Sequence, residues 1–220
     1  MIYVFFGFVF GSLIPYMARR FAKFMPATPA YAMYRLLKPV RIAKNKNAKY
    51  IELQKAYLLY SVGFGIITAA LSGLAYEHFS VPVWAICYVW ILLLLLEIDK
   101  RMMLLPDILT IPLLLLGLCF SMFSGAWVGI PESVFGAVVG YVLPVVASVF
   151  LVWKYPDAFG GGDIKLLMSI GAWIGAYYLV YVILTACVLF TIKAIILKKR
   201  AGAFGPELAV AAIAVAFICF

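Results

Sequence analysis

The sequence predicts an all-α fold, a polytopic membrane helical bundle of about eight transmembrane segments (six to eight), forming one integral membrane domain over 1–220. Three observations carry this expectation. The chain is 67% hydrophobic over 220 residues and has a mean hydropathy of +1.10. Its apolar runs are mostly long enough to cross a bilayer core of about 30 Å. They are continuous rather than alternating, which argues against a β-barrel. All 18 Lys and Arg residues fall on one side of the topology those runs define, the asymmetry expected of cytoplasmic loops.

Taken in order, segment 1–18 reads as a retained anchor. It has no basic stretch before its apolar run, and "ARR" follows that run, so a cleavable signal is not expected. Residues 19–55 form a basic cytoplasmic loop with ten Lys/Arg, Pro26, Pro29, Pro39 and the tract "KNKNAK". It is expected to rest on anionic lipid. Segments 56–75 and 81–98 flank an outer turn holding Glu77 and His78, and an inner connection at 99–107 holds Lys100 and Arg101. Segments 108–123 and 133–153 flank an outer turn with Glu132, and the inner connection 154–163 is bracketed by Lys154 and Lys165. Segment 164–176 reaches only about 20 Å as a helix. It reads as a short, tilted or half-membrane element running into 177–197 at "GAWIGA". Inner residues 198–202 lead to the last segment, 203–220.

The formal net charge is +9. In a chain this apolar, such charge reports orientation, so no nucleic-acid partner is expected. Cys87, Cys119, Cys187 and Cys219 each sit in an apolar run, form no CxxC pair and accompany a single histidine. They read as buried small hydrophobes, and no metal site or disulfide is expected.

The chemistry is confined to few residues. Of nine acidic residues, six fall at the inner boundary: Glu97, Asp99, Asp107, Asp157, Asp163 and Glu207. Carboxylates at membrane depth are costly and face a cavity or a partner. In "FGGGDIKLL", residues 159–167, three glycines precede Asp163. Glycine permits close approach of another chain, although an Asp after a glycine turn is also an ordinary helix cap. No phosphate loop fits, because GxxxxGK[ST] is absent. Asp99 ends one predicted helix and Asp163 begins another on the same side. Two converging carboxylates in a partly dry site share a proton, one acting as base towards water and the other as acid towards a carbonyl. That is aspartyl-protease chemistry. Two other classes stand beside it: a proton-coupled transporter, which calls for carboxylates near the bilayer midplane and paired broken helices, and a non-catalytic membrane assembly subunit, in which the two motifs are unrelated caps.

The residues also carry a resemblance. "EIDKRMMLLPDILTIPLLLLGL" at 97–118 and "FGGGDIKLLMSIGAWIG" at 159–175 resemble the two signatures of the type IV prepilin peptidases, the GxGD intramembrane aspartyl proteases. "GAVVGY" at 136–141, "FGPELA" at 204–209 and, more loosely, "GFVFGSLIPYMARR" at 7–20 resemble further family segments. The resemblance implies a bacterial inner-membrane endopeptidase with a periplasmic N-terminus, cleaving the leader of type IV prepilins or pseudopilins at the cytoplasmic face. It makes Asp99 and Asp163, 64 residues apart, the catalytic pair, and Gly160 and Gly162 the family glycines, with Gly161 at the variable position. Pro106 would fix the chain entering the next helix, and Asp107 would cap that helix. Lys165 would hold a substrate carbonyl or tune a carboxylate, or else snorkel to the interface. Glu97 is a neighbour of Asp99 without an assigned role. Proteolysis of this kind requires no cofactor. Many members also N-methylate the product with S-adenosylmethionine, a cofactor that enters only if methylation is retained. Many carry two CxxC pairs in the first cytoplasmic loop, and 19–55 has none, so a cysteine-free short variant is expected.

Overall fold

The computed structural model describes residues 1–24, 48–151, 160–198 and 202–220. Among these are seven helices: α1 Ile2–Phe24, α2 Ala48–His78, α3 Pro82–Met102, α4 Asp107–Phe120, α5 Ile130–Leu151, α6 Gly161–Leu197 and α7 Gly205–Cys219. All-helical structure is what a bilayer demands, since each backbone N–H and C=O must find its partner within its own segment.

Five of these helices, not six to eight, are long and apolar enough to cross a membrane: those over Ile2–Phe21, Ala56–His78, Pro82–Met102, Ile130–Val149 and Gly161–Leu197. The two that fall short are α4, 14 residues, and α7, 15 residues. At 1.5 Å per residue they reach only about 21–23 Å. The separate segments expected at 164–176 and 177–197 are the two helical arms of α6, which meet at a break at Gly175 within "GAWIGA". Gly175 has φ 75° and ψ 168°, a backbone state closed to ordinary side chains.

The break at Gly175 sends the chain back on itself. Met103 lines one cavity with Asp163, near the start of α6, and another with Lys193, near its end. Thirty residues of straight helix would hold those positions about 45 Å apart. The two arms of α6 therefore return to the same end of the bundle.

The predicted loop 19–55 is shorter than expected at both ends. Its described parts, 19–24 and 48–55, continue α1 and α2 as helix. Apolarity stops where the charges begin, but helix geometry does not. The tract 25–47, with the three prolines and most of "KNKNAK", lies outside the described residues, as do Lys154, Asp157, Lys199 and Arg200.

Small residues set the closest packing. A Cβ at Gly136 of α5 would overlap the Gly171 carbonyl oxygen of α6, and one at Gly140 would overlap that of Leu167. Ser133 donates to the Ala172 carbonyl at 2.5 Å across the same seam. Such backbone approach is the usual basis of helix association in lipid. The α4–α6 seam is pinned by Ser169 Oγ donating to the Thr110 carbonyl at 2.9 Å and Trp173 Nε1 to that of Leu113 at 2.8 Å. Trp173, Tyr88, Phe120 and Trp127 form an aromatic cluster at the end of the bundle remote from the α4 N-terminus. The outer surface is apolar, with Leu59, Ile66, Tyr177, Leu184 and Ile195 all more than half exposed. On a water-soluble protein that would be a large sticky surface; on a membrane bundle it faces lipid.

Two expectations about cysteine are corrected. The chain is not cysteine-free: it has four cysteines, and what 19–55 lacks is the two CxxC pairs. Nor are they buried, since Cys119 and Cys187 are exposed and Cys87 and Cys219 partly so. Apolar neighbours in sequence mark depth in the membrane and do not tell a protein-facing position from a lipid-facing one. Among the described residues no group of His, Cys, Asp and Glu could hold a metal ion.

Candidate active site

One end of the bundle collects the last turn of α3 and the first turns of α4, α6 and α7. Lys100 and Arg101 occupy the last turn of α3, and Met103 closes it in a left-handed state, its N–H bonded to the Asp99 carbonyl at 2.8 Å. The chain then crosses in four residues, 103–106, to α4. Pro106 precedes the helix in an extended state, φ −74° and ψ 134°, as its ring geometry dictates.

Asp99 and Asp163 line the same cavity, of about 220 Å³, with Met103, Leu104, Leu105 and the three glycines Gly160, Gly161 and Gly162. Asp99 is only 4% exposed. Its Oδ2 accepts a hydrogen bond from the Gly205 N–H at 3.1 Å, an N–H of the first turn of α7 that has no partner within its own helix. Asp163 is the third residue of α6 and lies close enough to Asp99 for their charges to interact. It is not the cap residue; Gly160 is, and the Asp163 carboxylate reaches back to the Gly160 N–H. An acidic residue there also favours the positive end of the helix.

The glycines differ in use. A Cβ at Gly162 would come within 2.9 Å of the Leu105 Cβ, one at Gly160 would make ordinary contact with Asp163 Oδ2 at 3.4 Å, and one at Gly161 would meet nothing within 4 Å. Gly162 is thus the close approach that brings the start of α6 against the α3–α4 connection.

Asp107 lies in the first turn of α4, and its partner is Lys165. Asp107 makes no side-chain capping bond at the start of α4. Both its carboxylate oxygens accept from Lys165 Nζ at 2.7 Å. The pair ties α4 to α6, and it lines a second cavity of about 410 Å³ with Phe21, Leu104, Leu105, Pro106, Ile108, Gly161 and Gly162. That cavity adjoins the one holding the aspartates, so Lys165 stands beside the carboxylate pair rather than in its cavity.

Three groups named or quoted in the sequence without an assigned role find partners in the structure. Gly205 holds Asp99 from 106 residues away, and only the quoted "FGPELA" pointed there. Glu207, 7% exposed, forms an ion pair with Lys193, and its Oε2 is buried without a hydrogen-bond partner. Its charge and that of Lys193 both act on Asp99. Glu97, 1% exposed, accepts from the Tyr60 hydroxyl at 2.7 Å and from Arg101 through Nε at 2.8 Å and through Nη2. Glu97 therefore serves a cation and faces away from the aspartate cavity.

A sequence profile described as the type IV leader peptidase family matches residues 86–195. Curated relatives include a "Prepilin leader peptidase/N-methyltransferase" of Dichelobacter nodosus, 37% identical over 155 residues, covering 66% of this chain and 53% of the relative. Proteins of the same name from Pseudomonas aeruginosa (36% over 159 residues, 66% and 54%) and Pseudomonas putida (40% over 130 residues, 56% and 45%) are similar too. The chain spans about half the length of the curated relatives it matches. No solved structure gives a significant match.

Proposed function

This chain belongs to the type IV leader peptidase family, and from that premise we propose that it is a membrane aspartyl endopeptidase whose catalytic pair is Asp99 and Asp163. Its substrates on this reading are type IV prepilins or pseudopilins, cut at the cytoplasmic face of the bacterial inner membrane. The observation that carries the reading is the single cavity of about 220 Å³ lined by both carboxylates and the glycines of the second motif.

Two nearby carboxylates in a largely dry site hold one proton between them. The ionised member takes a proton from water, and the oxygen of that water bonds to the scissile carbonyl carbon. The protonated member donates to the carbonyl oxygen, giving a tetrahedral diol. Collapse of the diol breaks the C–N bond while the carboxylic acid protonates the departing amine and the carboxylate takes a proton from a diol hydroxyl, which becomes the new carbonyl, so the pair returns to its singly protonated state. The Gly205 N–H, bonded to Asp99 Oδ2, fixes the direction of that carboxylate, which suits Asp99 to the base role. Gly161, which lines the cavity and has nothing within 4 Å of where its Cβ would stand, leaves room for an extended backbone beside the pair.

Methyl transfer is not part of this reading. The mass of the product N-terminus tests this directly.

The experiment for the peptidase reading is incubation of purified protein with a pilin precursor, read as a size shift. Asp99→Asn and Asp163→Asn are expected to abolish processing while the protein still inserts. Normal maturation by either variant refutes the pairing.

A further inference from the structure

At the same end of the bundle, but on the α1–α2–α3 side, lies an open cavity of about 390 Å³ lined by Arg19, Ala56, Tyr57, Tyr60, Glu97, Lys100 and Arg101. The proposed peptidase chemistry uses none of these residues. Their charges do not balance. Arg101 is neutralised by Glu97, whose other oxygen is taken by Tyr60. Arg19 and Lys100 remain, and among the described residues neither has a carboxylate in ion-pair range. The Arg19 guanidinium lies over the Tyr57 ring, 3.8 Å from its centroid. That contact leaves the edge N–H groups of a planar, permanently charged fork free to donate. Lys100 lies over the Tyr60 ring at 5.5 Å, and among the described residues its ammonium has the Tyr60 hydroxyl, at 3.4 Å, as its hydrogen-bond partner. Two cations facing one cavity repel each other unless an anion sits between them.

The anion that fits must also suit the wall below. Following α2 from Tyr60 into the membrane by helical spacing leads to Gly63 and then Ile67. A Cβ at Gly63 would meet nothing within 4 Å, and Ile67 is 54% exposed. The basic cavity therefore opens onto an uncovered apolar track, which a free phosphate has no use for and an acyl chain does. We propose that this cavity seats the phosphate of an acidic glycerophospholipid, bridging Arg19 of α1 and Lys100 of α3 with its acyl chain along Gly63 and Ile67. The seat is independent of the peptidase reading. It has a mechanical consequence all the same, because Lys100 follows Asp99 directly and the bound lipid would tie the α3 terminus to α1.

The test is native mass spectrometry of the full chain in detergent, titrated with phosphatidylglycerol, with phosphatidylcholine and with inorganic phosphate. Phosphatidylglycerol is expected to bind as one saturable adduct, with phosphatidylcholine about tenfold weaker. Arg19→Gln and Lys100→Gln should each weaken the adduct about tenfold, the loss of one charge-assisted contact. Arg19→Lys and Lys100→Arg, which keep the charges, should retain most of it and show that the fold survives. Lys198→Gln, an exposed cation at the end of α6, should leave it unchanged. Equal loss in Lys198→Gln, or equal binding of the two lipids, overturns the site in favour of diffuse attraction. Displacement of the lipid by millimolar inorganic phosphate overturns the acyl-chain half of the proposal.

Discussion

Replacing Gly205 by alanine perturbs Asp99 without touching either carboxylate. A Cβ built at Gly205 falls 2.6 Å from Asp99 Oδ2, 3.0 Å from its Cγ and 3.3 Å from its Cβ. Ordinary carbon contacts begin near 3.5 Å, so the carboxylate has to withdraw by about 0.9 Å. Withdrawal stretches the 3.1 Å bond from the Gly205 N–H beyond hydrogen-bonding range. Loss of a hydrogen bond to a charged group is worth about 1.5–3 kcal/mol, and a catalytic group misplaced by about 1 Å loses roughly a hundredfold in rate. The two figures describe one event and are not added. We expect kcat/KM for precursor cleavage to fall about 10- to 100-fold, mostly in kcat. Stability should change little, because alanine is favoured over glycine in a helix by about 0.5–1 kcal/mol, which offsets part of the crowding. The assay is timed cleavage of a prepilin by the purified variant, with a thermal melt of the same sample. A variant that cuts within about threefold of the parent and melts alongside it refutes the positioning role.

The other glycines of the site give a graded series: Gly162→Ala, 2.9 Å from the Leu105 Cβ, should impair cleavage clearly, and Gly161→Ala, with open space around it, should not. Gly175→Ala forces a side chain into φ 75° and ψ 168° and should cost about 1–3 kcal/mol, seen as a lower melting temperature in detergent. Lys193→Met strands the buried Glu207 carboxylate. Removing one member of a buried pair costs about 3–5 kcal/mol, reduced here to roughly 1–3 because Lys193 is 42% exposed. The double variant Lys193→Met/Glu207→Gln should then melt higher than Lys193→Met alone, and failure to recover would remove the ion pair as the cause. Lys165→Met breaks a pair whose side chains are 41% and 55% exposed and should shift stability by less than about 1 kcal/mol.

Helix class and the placement of carboxylates at one end were legible because hydropathy and the Lys/Arg asymmetry are local, additive signals. Asp99 and Asp163 could be set on one face by counting crossings alone. The pairs that hold the site are of another kind. Asp107 with Lys165 spans 58 residues and Gly205 with Asp99 spans 106, and no periodicity encodes such partners. Asp107 illustrates the cost of local reasoning: Pro-Asp at a helix start is a capping pattern, but the carboxylate found a lysine on another helix. The number of full spans was misjudged because α4 and α7 are apolar after their first turns yet short, and composition alone does not say where a helix stops. The cysteines were misplaced because lipid and protein interior look alike to an apolar run.

The glycine seam between α5 and α6 has a bearing on motion. With backbone meeting backbone at Gly136–Gly171 and Gly140–Leu167, the two helices have no side-chain layer to shear through. α5 and the first arm of α6, before Gly175, are therefore expected to move together. Any movement that opens or narrows the gap between Asp163 and Asp99 is then a tilt of that paired unit about the Gly175 corner. The lever acting on the carboxylate pair is therefore the whole of α5, a helix that contributes no residue to the cavity.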